Sequence, residues 1–276
     1  MEAIPQAEEW AALSMQRAGE FSSDAGLDEA RGKWDQMAPA YARKRERSGY
    51  LAQLTALLNL QPGETLLDMG CGPGVLSIPL AKSGHSVVAV DFSDGMLEQL
   101  RLAAADAGTE DRFQIFRRAW QENWDGIPMA DVAVSSRSMT THDIADAVRK
   151  LESKARNRVV VTTAAGETPW FDARLRAALG RTVDQLDLSA ELICLVNYLF
   201  ATGRFPEVRY IECPRAMQSD SREELRSFLF KAADVTPEEE PAFNAYFEAH
   251  VTSRPGGGYM LDYQQNVRWA YVCWHV

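Results

Sequence analysis

Apolar residues recur at helical spacing at Trp34, Met37, Ala38 and Tyr41, and again over residues 50–58. Two helices are therefore expected ahead of the first strand. Gln61-Pro62-Gly63 marks a turn, residues 65–69 read as a buried strand, and a glycine-rich loop leads into a helix over 75–82 that contains Pro79. Residues 86–90 form the β-branched run of a parallel strand, and Ser93 is placed to N-cap a helix ending near Gly108. Short strands follow at 113–116, 131–134 and 158–162, with a helix over 143–153 between the last two. Such alternation predicts a doubly wound α/β fold, a mostly parallel sheet covered on both faces.

After Gly166 the pattern changes. Residues 171–179 and 188–201 read as consecutive helices ending at Gly180 and Gly203, an insertion that fits no simple βαβ repeat. The second has one stripe of Leu188, Leu192, Leu195 and Leu199 and another of Ile193, Val196 and Phe200, so it should be covered on two sides. A strand over 208–213 follows, then a helix opened by a Ser221/Glu224 capping box, a second opened by Thr236-Pro237, and a closing strand over 267–276. One domain over 1–276 is the simplest organisation. It would comprise N-terminal helices (1–60), a strand-helix core (61–165), an inserted helical lid (166–206) and C-terminal strands and helices (207–276).

Charge narrows the partners. The net charge is −10, and basic residues gather only at Arg43, Lys44, Arg45 and Arg47, so a nucleic-acid backbone is an unfavourable main partner. Cys71, Cys194, Cys213 and Cys273 are scattered, which suits reduced thiols in a cytoplasmic protein and offers no metal-ligand spacing. The most apolar window, 188–201, is broken by Glu191 and Asn197 and is shorter than the roughly 20 residues of a bilayer span. Neither a membrane span nor a signal peptide is expected, and any oligomer is expected to be a homodimer.

The candidate chemistry lies in Asp68-Met69-Gly70-Cys71-Gly72-Pro73-Gly74, followed by Val90-Asp91 at the end of the second strand. A cofactor lying across strand ends needs backbone close beneath it, and glycines permit both that approach and the sharp turn into a helix. Asp91 is placed to accept from two ribose hydroxyls. Asp68 can orient the loop amides and attract a cationic group. A dinucleotide fingerprint would need a third glycine at position 75, where Val75 stands, and no Gly-Lys-Ser/Thr follows for a phosphate loop.

These residues resemble the first two motifs of the class I S-adenosylmethionine (SAM) dependent methyltransferases. The resemblance covers about residues 34–165 and implies a seven-stranded Rossmann-like sheet with an antiparallel C-terminal strand. SAM would be bound by Asp68, Gly70, Cys71, Gly72, Gly74 and Asp91. Phe92 would pack near the adenine, with the Ala119 or Trp120 backbone serving the base, since no Asp stands there. Ser135, with Ser136 and Arg137, would face the methionine part or the acceptor. Trp34-Asp35-x-x-Ala38-x-x-Tyr41 is similar to the N-terminal helix of quinone-biosynthesis-type methyltransferases, which brings Tyr41 toward the cofactor carboxylate. The turn usual before strand five is replaced by Ser153-Lys154-Ala155-Arg156-Asn157, a departure that weakens any assignment to a subfamily.

The sulfonium is already an activated leaving group, so alignment and exclusion of water are the main demands, and no catalytic constellation need be visible. His142 is the nearest candidate general base. The leading expectation is methyl transfer to a small molecule. The alternatives are methylation of a protein or RNA, or SAM binding without turnover by a regulator or partner subunit.

Overall fold

A computed structural model of the protein describes residues 4–16, 24–43, 49–139, 141, 143–168, 172–182 and 189–276. It divides into two compact units.

The first unit comprises Met1–Thr163, Glu191–Arg209 and Ala270–Val276. It opens with α1 (Ala7–Met15), α2 (Asp24–Arg43) and α3 (Tyr50–Leu58). Periodicity missed α1 and the first turns of α2. Then come β1 (Leu66–Met69), α4 (Ser77–Lys82), β2 (Val87–Asp91), α5 (Asp94–Ala107), β3 (Phe113–Arg117), β4 (Ala130–Ser136), α6 (Ile144–Lys154) and β5 (Ala155–Ala164). Every residue of β1 and β2 is buried, as befits parallel strands covered on both faces. Helix α5 turns Met96, Leu97 and Leu100 inward, and α6 turns Ile144, Val148 and Leu151 inward. Ser93 caps α5 by accepting from the Met96 N–H, as its sequence position predicts. The helix expected over 75–82 begins only at Ser77, because residues 75 and 76 continue the turn that leaves the glycine loop.

Strand order is β3-β2-β1-β4-β5, continued by β8 (Tyr259–His275) and β6 (Glu207–Ser219), with the short β7 (Val251–Ser253) pairing antiparallel to β8. Eight strands thus stand among the described residues where seven were expected, the addition being β7. The sheet is mostly parallel with an antiparallel C-terminal strand. The order reverses between β1 and β4, which pair in parallel with Leu66 opposite Val132. In open α/β sheets that reversal opens a crevice at the carboxyl ends of the strands. Helix α8 (Ala190–Ala201) buries Leu192, Leu195 and Leu199 of the first stripe, whose Leu188 lies outside the described residues; of the second stripe Ile193 and Val196 are half-buried and Phe200 is exposed.

The second unit comprises Ala164–Ala190 and Tyr210–Trp269. Helices α7 (Ala173–Ala178), α9 (Arg222–Ala232) and α10 (Glu240–His250) bury Leu175, Leu225, Leu229, Phe243 and Phe247 together with Met217 and Leu261. The segment 166–206 is thus shared between the two units. Ser221 caps α9 by accepting from the Glu224 N–H, but the Glu224 carboxylate takes the Ser219 hydroxyl, so the capping box is half formed. Thr236-Pro237 does not open α10; the helix starts at Glu240, with Pro241 in its first turn. Pro214 stands inside β6, which is an edge strand, where a missing N–H is tolerated.

Candidate cofactor-binding site

A crevice opens at the carboxyl ends of β1, β2 and β4. Every described residue of its wall belongs to the first unit. The floor is the loop after β1. Gly70, Gly72 and Gly74 all have positive φ (76°, 53° and 88°), a conformation costly for residues with a Cβ. They do different work. A Cβ on Gly70 would lie 2.3 Å from that of Ser138, and one on Gly74 would lie 2.5 Å from Leu100 Cδ1, so these two are needed for packing. A Cβ on Gly72 would meet nothing within 4 Å; this glycine keeps space open at the crevice.

The loop is held from outside itself. Val90 O accepts from the N–H groups of Gly70 (2.7 Å) and Cys71 (3.0 Å). Asp91 Oδ2 accepts from the Gly72 N–H at 2.8 Å, and its Oδ1 accepts from the Ser93 N–H at 2.9 Å. The expectation that Asp68 orients the loop amides is therefore corrected. Asp68 instead accepts from the Ser77 hydroxyl at 2.6 Å, tying the end of β1 to the start of α4. Burial, with the neighbouring Asp91 adding to it and Ser77 opposing, pushes the Asp68 carboxyl up to about 6. Burial raises Asp91 as well, against the backbone N–H groups of Ser93, Gly72 and Phe92, which hold its carboxylate. It also raises the Cys71 thiol, whose neighbours Asp91 and Asp68 add to the effect.

Around this floor stand Phe92, Met96 and Trp120 on one side and Ser136, Arg137 and Ser138 on another. Ser135, expected at the site, is fully buried beneath it; its hydroxyl is 3.0 Å from that of Ser138, which donates to Met69 O at 2.6 Å and does reach the crevice. Gly74 likewise packs behind the wall. Ala119 reaches the crevice, but its N–H donates to Glu122 (2.8 Å) and its O accepts from Trp124 Nε1 (3.0 Å). Trp120 O accepts from Lys150 Nζ and its indole N–H donates to Ser138 O. Much of the backbone expected to read the base is thus engaged within the protein. His142 lies outside the described residues.

Among the described residues, helices α2 and α3 wall the crevice. Leu27, Trp34 and Tyr41 come from α2, with the Trp34 and Tyr41 rings edge to face at 5.9 Å. Tyr50 and Leu51 come from α3. Tyr50, read from sequence as a core residue only, has its hydroxyl 2.6 Å from Thr162 Oγ1 and 2.9 Å from Ser136 Oγ. The Arg137 guanidinium stacks on its ring at 3.8 Å, and Arg137 holds φ +57° because its N–H donates to the Thr162 carbonyl and hydroxyl. No periodicity signals that hydroxyl cluster, because its members lie on α3, β4 and β5.

The donor set and shape suit SAM. Asp91 keeps acceptor capacity for the sugar beyond its backbone contacts with Gly72, Ser93 and Phe92, Gly72 leaves room for close approach, and the buried carboxyl of Asp68 faces the same space.

Comparison with known proteins agrees. Residues 66–158 match the family model of a methyltransferase domain. An uncharacterized protein of Haemophilus influenzae is 31% identical over 249 residues, covering 88% of this chain and 89% of its own. Among solved structures, YjhP of E. coli superposes with TM-score 0.52 at 15% identity, over 88% of this chain and 98% of its own. A SAM-dependent methyltransferase of Geobacter sulfurreducens, solved with S-adenosyl-L-homocysteine, does so with TM-score 0.50 at 15% identity, over 87% and 96%. At such identity the two structures speak for the fold alone. With the glycine loop, the acidic strand ends and the strand order in place, the chain belongs to the class I SAM-dependent methyltransferases.

Proposed function

We propose that this methyltransferase acts on a small-molecule acceptor by direct displacement. The observation that carries the reading is the crevice wall: Leu27, Trp34, Tyr41, Tyr50 and Leu51 cover the cofactor loop with apolar and aromatic side chains, a surface suited to enclosing a compact, largely apolar acceptor. The net charge of −10 adds to this, since an RNA acceptor would meet a repulsive surface. The four cysteines are free and buried, as suits a reducing, cytoplasmic setting. No helix of the described residues is long and apolar enough to cross a membrane.

In this reading Asp91 takes the ribose hydroxyls, Phe92 and the turn at Ala119 and Trp120 flank the adenine, and Asp68 sits toward the cationic amino end. Bound SAM supplies a methyl group on a sulfonium. The chain's own contribution is to orient donor and acceptor and to exclude water, which the aromatic wall does by covering the loop.

The test uses SAM carrying a radiolabelled methyl group, incubated with the protein and a cell extract split into small-molecule, protein and RNA fractions. Label in the small-molecule fraction is expected. Label confined to protein or RNA would overturn the acceptor assignment, and binding without transfer to any fraction would make the chain a SAM-binding regulator.

A further inference from the structure

Helix α5 has its own cap in Ser93, yet a second acceptor reaches it from another helix. Asp35 Oδ1, on α2, accepts from the Ser93 hydroxyl at 2.6 Å and from the Gly95 N–H at 2.9 Å. Ser93 in turn donates its N–H to Asp91. One turn earlier on α2, Arg31 Nε donates to the Phe92 carbonyl at 3.1 Å, and the same guanidinium lies 3.5 Å from Glu122, the carboxylate that accepts from the Ala119 N–H. The helices touch backbone to backbone here, since a Cβ on Gly95 would lie 2.9 Å from the Cα and from the carbonyl oxygen of Asp35. The same α2 carries Leu27, Trp34 and Tyr41 into the crevice.

We propose that Asp35 is a positioning residue for cofactor binding: by sharing the α5 cap with Ser93 it joins α2 to the Asp91 turn, so that occupation of the ribose end firms the α2 wall over the crevice. The inference rests on the cofactor site described above. Its physical basis is linkage. A ligand gripped by Asp91 stabilises whatever Asp91 is rigidly joined to, and α2 is joined to the Asp91 turn through the Asp35 carboxylate, with Arg31 as a second contact one turn earlier. A cap for α5 alone would not need this link, because Ser93 already serves the Met96 N–H at 3.1 Å.

Hydrogen exchange in α2 of the full chain, read with and without S-adenosylhomocysteine and with and without adenosine, tests it. In wild type both ligands should slow α2 exchange by about tenfold or more, since both present the ribose. Asp35→Ala should still bind S-adenosylhomocysteine, about three- to tenfold more weakly, but the bound ligand should no longer slow α2. Asp35→Asn keeps an oxygen acceptor and should restore the effect. Gly95→Ala, which wedges the helices apart and spares the carboxylate, should uncouple them too, and it serves if Asp35→Ala fails to fold. Ligand-dependent protection of α2 that survives Asp35→Ala or Gly95→Ala, or an Asp35→Asn variant that stays uncoupled, would overturn the proposal. So would wild type that binds ligand without protecting α2. Wild type that binds neither ligand would instead bring down the cofactor site itself, and the proposal with it.

Discussion

The Asp91 carboxylate and the Gly72 N–H are hydrogen-bonded at 2.8 Å, so the residue that ends β2 holds the middle glycine of the loop that follows β1. Two segments that each look like half of a binding motif are thereby one object. The carboxylate is aimed before any ligand arrives, because its other oxygen is fixed by the Ser93 N–H. Such preorganisation lowers the ordering cost of binding.

Asp91→Ala removes the proposed ribose acceptor and releases the Gly72 N–H at once. Calorimetry with S-adenosylhomocysteine should show affinity at least about tenfold lower, the scale of losing two charge-assisted hydrogen bonds. Equal affinity in the variant would take Asp91 out of the site.

Gly72 and Gly70 should separate binding from stability. Gly72→Ala places its Cβ in open space at φ +53°, so the protein should fold with a loss of about 1–2 kcal/mol while ligand affinity falls about tenfold or more. Gly70→Ala meets Ser138 Cβ at 2.3 Å and should lower stability by about 3 kcal/mol or more. Thermal unfolding beside calorimetry reads both; equal effects of the two changes on stability would contradict the division of labour.

Asp68 links binding to pH. Its carboxyl, pushed up to about 6 mainly by burial, is ionised more readily when a cation is bound nearby. SAM affinity should therefore rise as pH rises from about 5 to about 7 and then level off. For folding the sign is opposite. In the native state this carboxyl titrates above its ordinary range near 3.8, so the stabilisation from protonated Asp68 is complete below about pH 4 and lost as pH rises through about 6. Asp68→Asn keeps an acceptor for Ser77 and cannot ionise. At pH 8 it should melt a few degrees higher than wild type and bind SAM more weakly. A variant with lower Tm and unchanged affinity would refute both halves.

Tyr50→Phe should cost about 1–2 kcal/mol, because it strips a buried hydroxyl from Ser136 and Thr162 while leaving the ring under Arg137. Denaturant unfolding measures it. A cost below about 0.5 kcal/mol would mean that the two hydroxyls satisfy each other without Tyr50.

Much of the cofactor floor was legible in the chain. The glycine spacing, the acidic strand ends and the Ser93 cap are local signals, each readable from a few adjacent residues. The wall was not. Trp34 and Tyr41 fit a helix whose inward face could as well have met the core, and Tyr50 reads as one more buried aromatic. The pairing of Asp35 with Gly95 crosses 60 residues, and periodicity says which face of a helix is buried without saying against what.

By itself the sequence determined the β-α alternation, the order of the first five strands' residues, and the loop that only glycines could make, because steric and propensity rules act over short stretches of chain. Only the tertiary structure decided that α2 and α3 form the wall, that Ser138 rather than Ser135 faces the crevice, and that Asp68 serves Ser77 rather than the loop amides. Those outcomes depend on which buried polar groups find partners once the elements pack, and such partners are chosen by proximity in space, which chain order does not record.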